Sequence, residues 1–128
     1  MELLIDTCTF IWATLQPSRL SQRAYDLMAS DENALYLSSI SAWEIALKYS
    51  QNSLALPLAP EQFLMQERSK LRIVSLSLTE TACVRLPHLP WIHKDPADRM
   101  LICQAQEEGL TILTPDQHIQ QYNVPVVC

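Results

Sequence analysis

Short apolar runs alternate with longer segments of helical period along this chain. Residues 3–5 (LLI), 34–38 (ALYLS), 73–76 (IVSL), 111–113 (TIL) and 124–127 (VPVV) read as strands. The first is continuously apolar, as in a strand buried on both faces. Helices are expected over residues 10–15, 21–30, 41–50, 61–71, 79–86 and 96–108. The second of these has Ala24, Leu27 and Met28 in positions that fit an amphipathic helix. Residues 54–60 (LALPLAP) form a proline-punctuated loop, and Pro60 suits the first position of the helix that follows. Thr79 is placed to cap the next. Residues 87–94, with His88, Trp91 and His93, read as an extended loop. The 96–108 helix is the clearest, and it ends at Gly109, the only glycine in the chain. Strands alternating with helices of this length predict a parallel sheet covered on both faces, an α/β fold.

The 128 residues allow one domain with a real core, spanning 1–128, and are too few for two. At 48% apolar content the chain is globular in composition. A net charge of −5 argues against a nucleic-acid binder that works by bulk charge. It leaves a nuclease open, because metal ions recruited by acidic side chains offset charge locally. Cys8, Cys83, Cys103 and Cys128 are far apart and form no CxxC pair, so neither a zinc site nor a disulfide framework is expected. No run approaches a membrane span, and no basic segment leads into a long apolar one. A reduced cytoplasmic compartment follows as the expectation. One glycine excludes both GxGxxG and GxxxxGK[ST], so glycine-built nucleotide loops are absent.

Four acids stand where a metal site would need them. Asp6 closes the first apolar run, and Asp116 follows the apolar run of residues 110–113. Glu44 and Asp98 fall in the first turns of expected helices. Ends of adjacent parallel strands and starts of facing helices converge on one sheet edge, where ligands of open α/β folds bind. Clustered carboxylates hold hard divalent cations such as Mg²⁺ or Mn²⁺. Each acid also has a structural reading. Asp6 is a good N-cap. Ser41-Ala42-Trp43-Glu44 has the pattern of a capping box. Asp98 complements a helix dipole, and Asp116 suits a turn. Asp95, immediately before Pro96, is assigned mainly to capping. Thr7 and Thr114 are placed to orient neighbouring carboxylates. Lys48 can pair with Glu44 or approach a phosphate, and Arg99 can serve as phosphate contact or ion-pair partner. The three histidines, lacking paired spacing, read as loop and surface residues, with His93 a minor candidate near the site.

Three segments taken together resemble the PIN domain, and specifically the VapC toxins of bacterial toxin–antitoxin pairs. LLIDTCTFIW resembles the opening strand of that family, ending in Asp-Thr. SISAWEIALKYSQNSLALP resembles its second block, and LPWIHKDPADRMLICQAQEEGLTILTPD its third. The match runs in order through nearly the whole chain. The family often carries His after Asp-Thr, where this chain has Cys8. The resemblance implies a three-layer α/β/α sandwich around a parallel sheet. It implies an Mg²⁺- or Mn²⁺-dependent endoribonuclease with Asp6, Glu44, Asp98 and Asp116 as the metal-site acids. It also implies an RNA substrate cut to a 5′-phosphate and a 3′-hydroxyl, a cognate antitoxin protein that blocks the site, and a homodimer.

Two other classes compete. A Mg²⁺-dependent phosphotransferase or receiver domain also gathers acids at strand ends, but the first strand here leads into D-T-C-T rather than D-x-D. A catalytically silent PIN-like module that binds RNA or protein would have lost some of the four acids, and all four are present.

Overall fold

The computed structural model describes residues 1–128. Five strands, β1 (Glu2–Ile5), β2 (Ala34–Ser38), β3 (Ile73–Leu76), β4 (Thr111–Leu113) and β5 (Val126–Val127), form one sheet in the order β3-β2-β1-β4-β5. Every neighbouring pair is parallel. In register, Leu4 of the central strand faces Tyr36 on one side and Ile112 on the other. Six helices connect the strands: α1 (Thr7–Leu15), α2 (Gln22–Ala29), α3 (Ser39–Ser50), α4 (Pro60–Leu71), α5 (Glu80–Cys83) and α6 (Pro96–Glu108).

The side-chain alternation of β1 shows how the layers form. Successive residues of a strand point to opposite faces. Leu4 joins Ile112 and the α6 residues Leu101, Ile102, Cys103 and Ala105 in one core. Leu3 and Ile5 join Leu35, Leu37, Phe10 of α1, Ile45 of α3 and Phe63 of α4 in the other. Phe10 and Phe63 meet edge to face with ring centroids 6.2 Å apart, a favoured aromatic geometry. The chain is thus the three-layer α/β/α sandwich that its pattern predicts.

Helix ends differ from the expected ones where a nearer cap exists. The Ser38 hydroxyl accepts from the Ile40 amide at 3.0 Å, so α3 starts at Ser39 rather than at Ser41. Ser41 is fully buried inside the helix and accepts from the Thr7 hydroxyl at 2.9 Å. The expected capping box of Ser41 and Glu44 therefore does not form. Helix α1 starts at Thr7, three residues early, because Asp6 caps it. Thr79 caps α5 as expected, its hydroxyl 3.1 Å from the Ala82 amide. That helix stops at Cys83, and Pro87 falls in a separate 3-10 turn over Leu86–His88 rather than in a continuation of it. Strand β5 is confined to two residues, since Pro125 has no N–H for the ladder. Asp95 caps α6 through the Asp98 amide at 3.0 Å, with Pro96 at the first position.

The connectivity fixes where a site can form. From β1 the chain moves outward through β2 and β3, then crosses to β4 on the far side of β1. Strand order reverses between β1 and β4, and ligands of such sheets bind beyond the strand ends at that switch point. Helix α6 leads into the parallel strand β4, so its N-terminus returns to the same edge.

Gly109 ends α6 with φ of 68°, and a Cβ placed there would meet nothing within 4 Å. The cost of Gly109→Ala is then the left-handed backbone alone, about 1–2 kcal/mol. Chemical denaturation should show a loss of that size.

Candidate active site: a carboxylate-lined cavity

A cavity of about 250 Å³ opens at the switch point, lined by Asp6, Glu44, Asp95, Asp98 and Asp116 together with Thr7, Cys8, Ile11, Trp12 and Lys48. All four acids singled out in the sequence reach it, and Asp95 joins them. A hollow lined by Met28, Asp31, Lys70 and Arg72 lies at the opposite strand edge, where no such cluster of acids gathers.

Asp6 is 3% exposed. Its Oδ1 accepts from the Thr9 amide at 2.8 Å, and its Oδ2 accepts from the Thr114 hydroxyl. The cap and the cavity acid are therefore one group. Thr114, fully buried, also accepts from the Asp116 amide at 3.0 Å. One hydroxyl ties the end of β1 to the segment after β4. Thr7, by contrast, orients no carboxylate and donates to Ser41. Glu44 has no backbone donor to serve. Its carboxylate sits 3.5 Å from the Lys48 ammonium, one helical turn on. Asp116 accepts from the His118 amide at 2.7 Å. Cys8 is exposed at the rim.

His93, only a minor candidate from the sequence, lies directly against a cavity acid. Its side chain is 10% exposed, and Nε2 lies 3.1 Å from Asp98 Oδ2. The pairing spans a loop with no periodicity, and only its shortness (five residues) hinted at it. Arg99 is likewise neither phosphate contact nor ion-pair partner. It is 4% exposed, donates to the Pro90 carbonyl at 2.8 Å and to the Tyr122 hydroxyl at 3.1 Å, and lies over the Trp91 ring.

Burial, with the gathered charge behind it, perturbs two of the acids. Burial, then the neighbouring Asp95 charge, pushes Asp98 from an ordinary 3.8 to about 7, against the lowering effect of His93; Asp116 and Asp6 add to the rise. Burial raises Asp6 as well, with Asp116 contributing, although the hydrogen bonds from Thr114 and Thr9 oppose it. Perturbed carboxylates in a cleft are a mark of functional sites. As the side chains stand, no three of them converge closely enough to hold a metal ion. Each carboxylate is turned toward a donor of its own: Thr114, Lys48, the Asp98 amide, His93 or His118.

A model of the PIN domain family matches residues 3–125. The chain belongs to the PIN domain family. It is 27% identical over 125 residues to ribonuclease VapC22 of Mycobacterium tuberculosis, covering 96% of this chain and 93% of that one. Its fold resembles the crystal structure of VapBC2 from Rickettsia felis bound to a promoter DNA fragment, with TM-score 0.73 and 16% identity over 99% of this chain and 98% of the other. It also resembles FitAcB from Neisseria gonorrhoeae (TM-score 0.65, 21% identity, 98% and 96% covered). A toxin–antitoxin complex from Klebsiella pneumoniae gives 0.62 and 19% over 98% and 96%. The three-layer fold of the PIN domain is the one described above, with the acids at its switch point.

The raised Asp98 gives a pH signature in metal-free protein. Below about pH 4 this group is protonated whether the chain is folded or not. Between about 4 and 7 the unfolded chain releases the proton while the folded chain retains it, so rising pH removes stability. Asp98→Asn removes that loss and still accepts a hydrogen bond from His93. In EDTA, the melting temperature of Asp98→Asn minus that of wild type should be small near pH 4.5 and grow toward pH 7.5. A difference that shrinks with pH would contradict the assignment.

Proposed function

We propose that this PIN domain is an Mg²⁺- or Mn²⁺-dependent endoribonuclease and the toxin of a toxin–antitoxin pair. The observation that carries the reading is the convergence of five carboxylates from four chain segments on one cavity at the sheet's switch point. Family membership and the name of the relative VapC22, a ribonuclease, support the reaction class. The neighbours that are toxin–antitoxin complexes support the partner.

The donor set suits a hard divalent cation, since it consists of carboxylate oxygens that repel one another when none is bound. Asp6, Glu44, Asp98 and Asp116 would hold the ion, with Asp95 retained by the Asp98 amide. A bound cation supplies the charge that draws a phosphodiester into an anionic cavity and activates water for attack at phosphorus. The residues do the rest. Asp6 is immobilised by two donors and buried, so it gives a fixed reference point. Glu44 has no capping duty and is free to leave Lys48. Lys48, 45% exposed, then offers its ammonium to a phosphate at the cavity rim. Trp12 lines the cavity beside the acids with the Arg19 guanidinium 4.5 Å from its ring centre, an aromatic–cation pair suited to a base and phosphate of single-stranded RNA. A net charge of −5 makes long-range steering weak, so substrate capture depends on this local arrangement.

The same cavity would accept a basic side chain of an antitoxin, best an Arg whose planar fork matches a carboxylate. No helix is long and apolar enough to cross a membrane, and four free cysteines fit the reducing cytoplasm in which such a pair would act. The exposed Trp43 and Leu47, one turn apart on α3, and Met65 on α4 support a homodimer face.

Asp6→Asn and Glu44→Gln test the reading. Each should melt near wild type and lose nearly all cleavage of single-stranded RNA in Mg²⁺ or Mn²⁺. Expression of the wild type alone should slow growth, and co-expression of a cognate antitoxin should restore it. Wild-type rates in both variants would remove the acids from the reaction. A purified wild type that cuts no RNA with either ion would leave a silent binding module as the better account.

A further inference from the structure

We infer that His93 is a positioning residue that fixes the Asp98 carboxylate, and that Tyr122 and Arg99 select the ring tautomer that does it. The inference rests on the reading of Asp98 as a site carboxylate only for its effect on cleavage.

The hydrogen-bond inventory of one hydroxyl decides the tautomer. A tyrosine hydroxyl has one proton to give and two lone pairs to receive. The Tyr122 oxygen receives from Arg99 Nη1 at 3.1 Å and from the His93 backbone amide at 3.3 Å. Both lone pairs are then engaged, and the one remaining close partner is His93 Nδ1 at 2.8 Å. The Tyr122 proton must point there, so Nδ1 accepts. A neutral imidazole that accepts at Nδ1 carries its hydrogen at Nε2. That hydrogen is directed at Asp98 Oδ2, 3.1 Å away. The chain runs from Arg99 through Tyr122 and His93 to Asp98, each donor facing an acceptor.

The far end of the chain cannot shift easily. The Arg99 guanidinium is held by the Pro90 carbonyl and lies 4.2 Å from the centre of the Trp91 ring. Tyr122 is buried in the α6-side core. The imidazole is stacked on His118 at 5.3 Å with 17° between planes. His118 belongs to the Asp116 segment, so the stack also sets one acid-bearing segment against the other. Asp98 is therefore aimed from outside its own helix, whereas Asp95 is held by the cap bond to the Asp98 amide.

Gln and Asn at position 93 separate this role from packing. Gln places an amide donor near the Nε2 position, whereas Asn reaches only as far as Nδ1. His93→Gln should keep most of the cleavage rate. His93→Asn should lower kcat about 10–100-fold, as loss of an outer partner of a ligating group does, with KM nearly unchanged. Tyr122→Phe should act in the same direction and covers the case that His93→Asn does not fold. The tautomer is read without any activity, by ¹⁵N NMR of histidine-labelled, metal-free protein at a pH where the ring is neutral. Wild type should show His93 protonated at Nε2 and bare at Nδ1, and Tyr122→Phe should show a growing Nδ1–H population. An Nδ1–H tautomer in wild type would overturn the inference, as would equal kcat in His93→Asn and His93→Gln. If wild type cleaves no RNA, the ribonuclease reading falls and the NMR result alone decides this inference.

Discussion

Five carboxylates around one cavity repel one another, and the architecture at this edge of the sheet is organised by that repulsion. Like charges in a partly buried site favour protonation or a counter-cation. The fold answers with donors. Asp6 has Thr9 and Thr114, Glu44 has Lys48, Asp95 the Asp98 amide, Asp98 has His93, and Asp116 the His118 amide. Burial adds to the repulsion and raises the proton affinity most plainly at Asp98, where desolvation comes first and the Asp95 charge second. A divalent cation relieves the same repulsion with a single charge centre. On the proposed reading, that tension lies where a cation and a phosphate would bind, as expected of a site that trades stability for activity.

Structural and functional roles coincide here rather than compete. Asp6 caps α1 and lines the cavity with the same carboxylate. Asp95 caps α6 and, by its charge, raises Asp98. The edge of a parallel sheet makes this economical. Helix starts need anionic or polar caps, and the same edge is where the switch point opens. A capping acid at that edge is already most of the way to being a site acid.

Much of this was legible in the residue pattern. Residues 3–5, 34–38, 73–76 and 111–113 are apolar runs too short for helices, and each lies within a strand or forms one. Gly109 and the Asp95-Pro96 pair mark both ends of α6 because their conformational limits act locally. Asp6, Asp98 and Asp116 could be nominated from their places at element ends; Glu44, expected in a first turn, lies in the second turn of α3 because that helix starts at Ser39, and all four line the cavity. What failed was local competition and long-range pairing. Ser38 and Ser41 are equally good caps by type, and only the backbone path out of β2 decides for Ser38. The bond from Thr114 to Asp6 spans 108 positions, and that from Tyr122 to His93 spans 29. No periodicity records such contacts, so His93 reads mainly as a loop residue and Arg99 as a phosphate contact or ion-pair partner, although both belong to one hydrogen-bond chain ending at Asp98.

The central claim is that these carboxylates form one cation site. Crystals of the wild type soaked in Mn²⁺ test it most directly, through the anomalous signal of the ion. The account predicts an anomalous peak inside the cavity, with Asp6, Glu44, Asp98 and Asp116 turned toward it and Glu44 detached from Lys48. A cavity without a peak at saturating Mn²⁺, or an ion bound elsewhere with the five acids still on their internal partners, would contradict it.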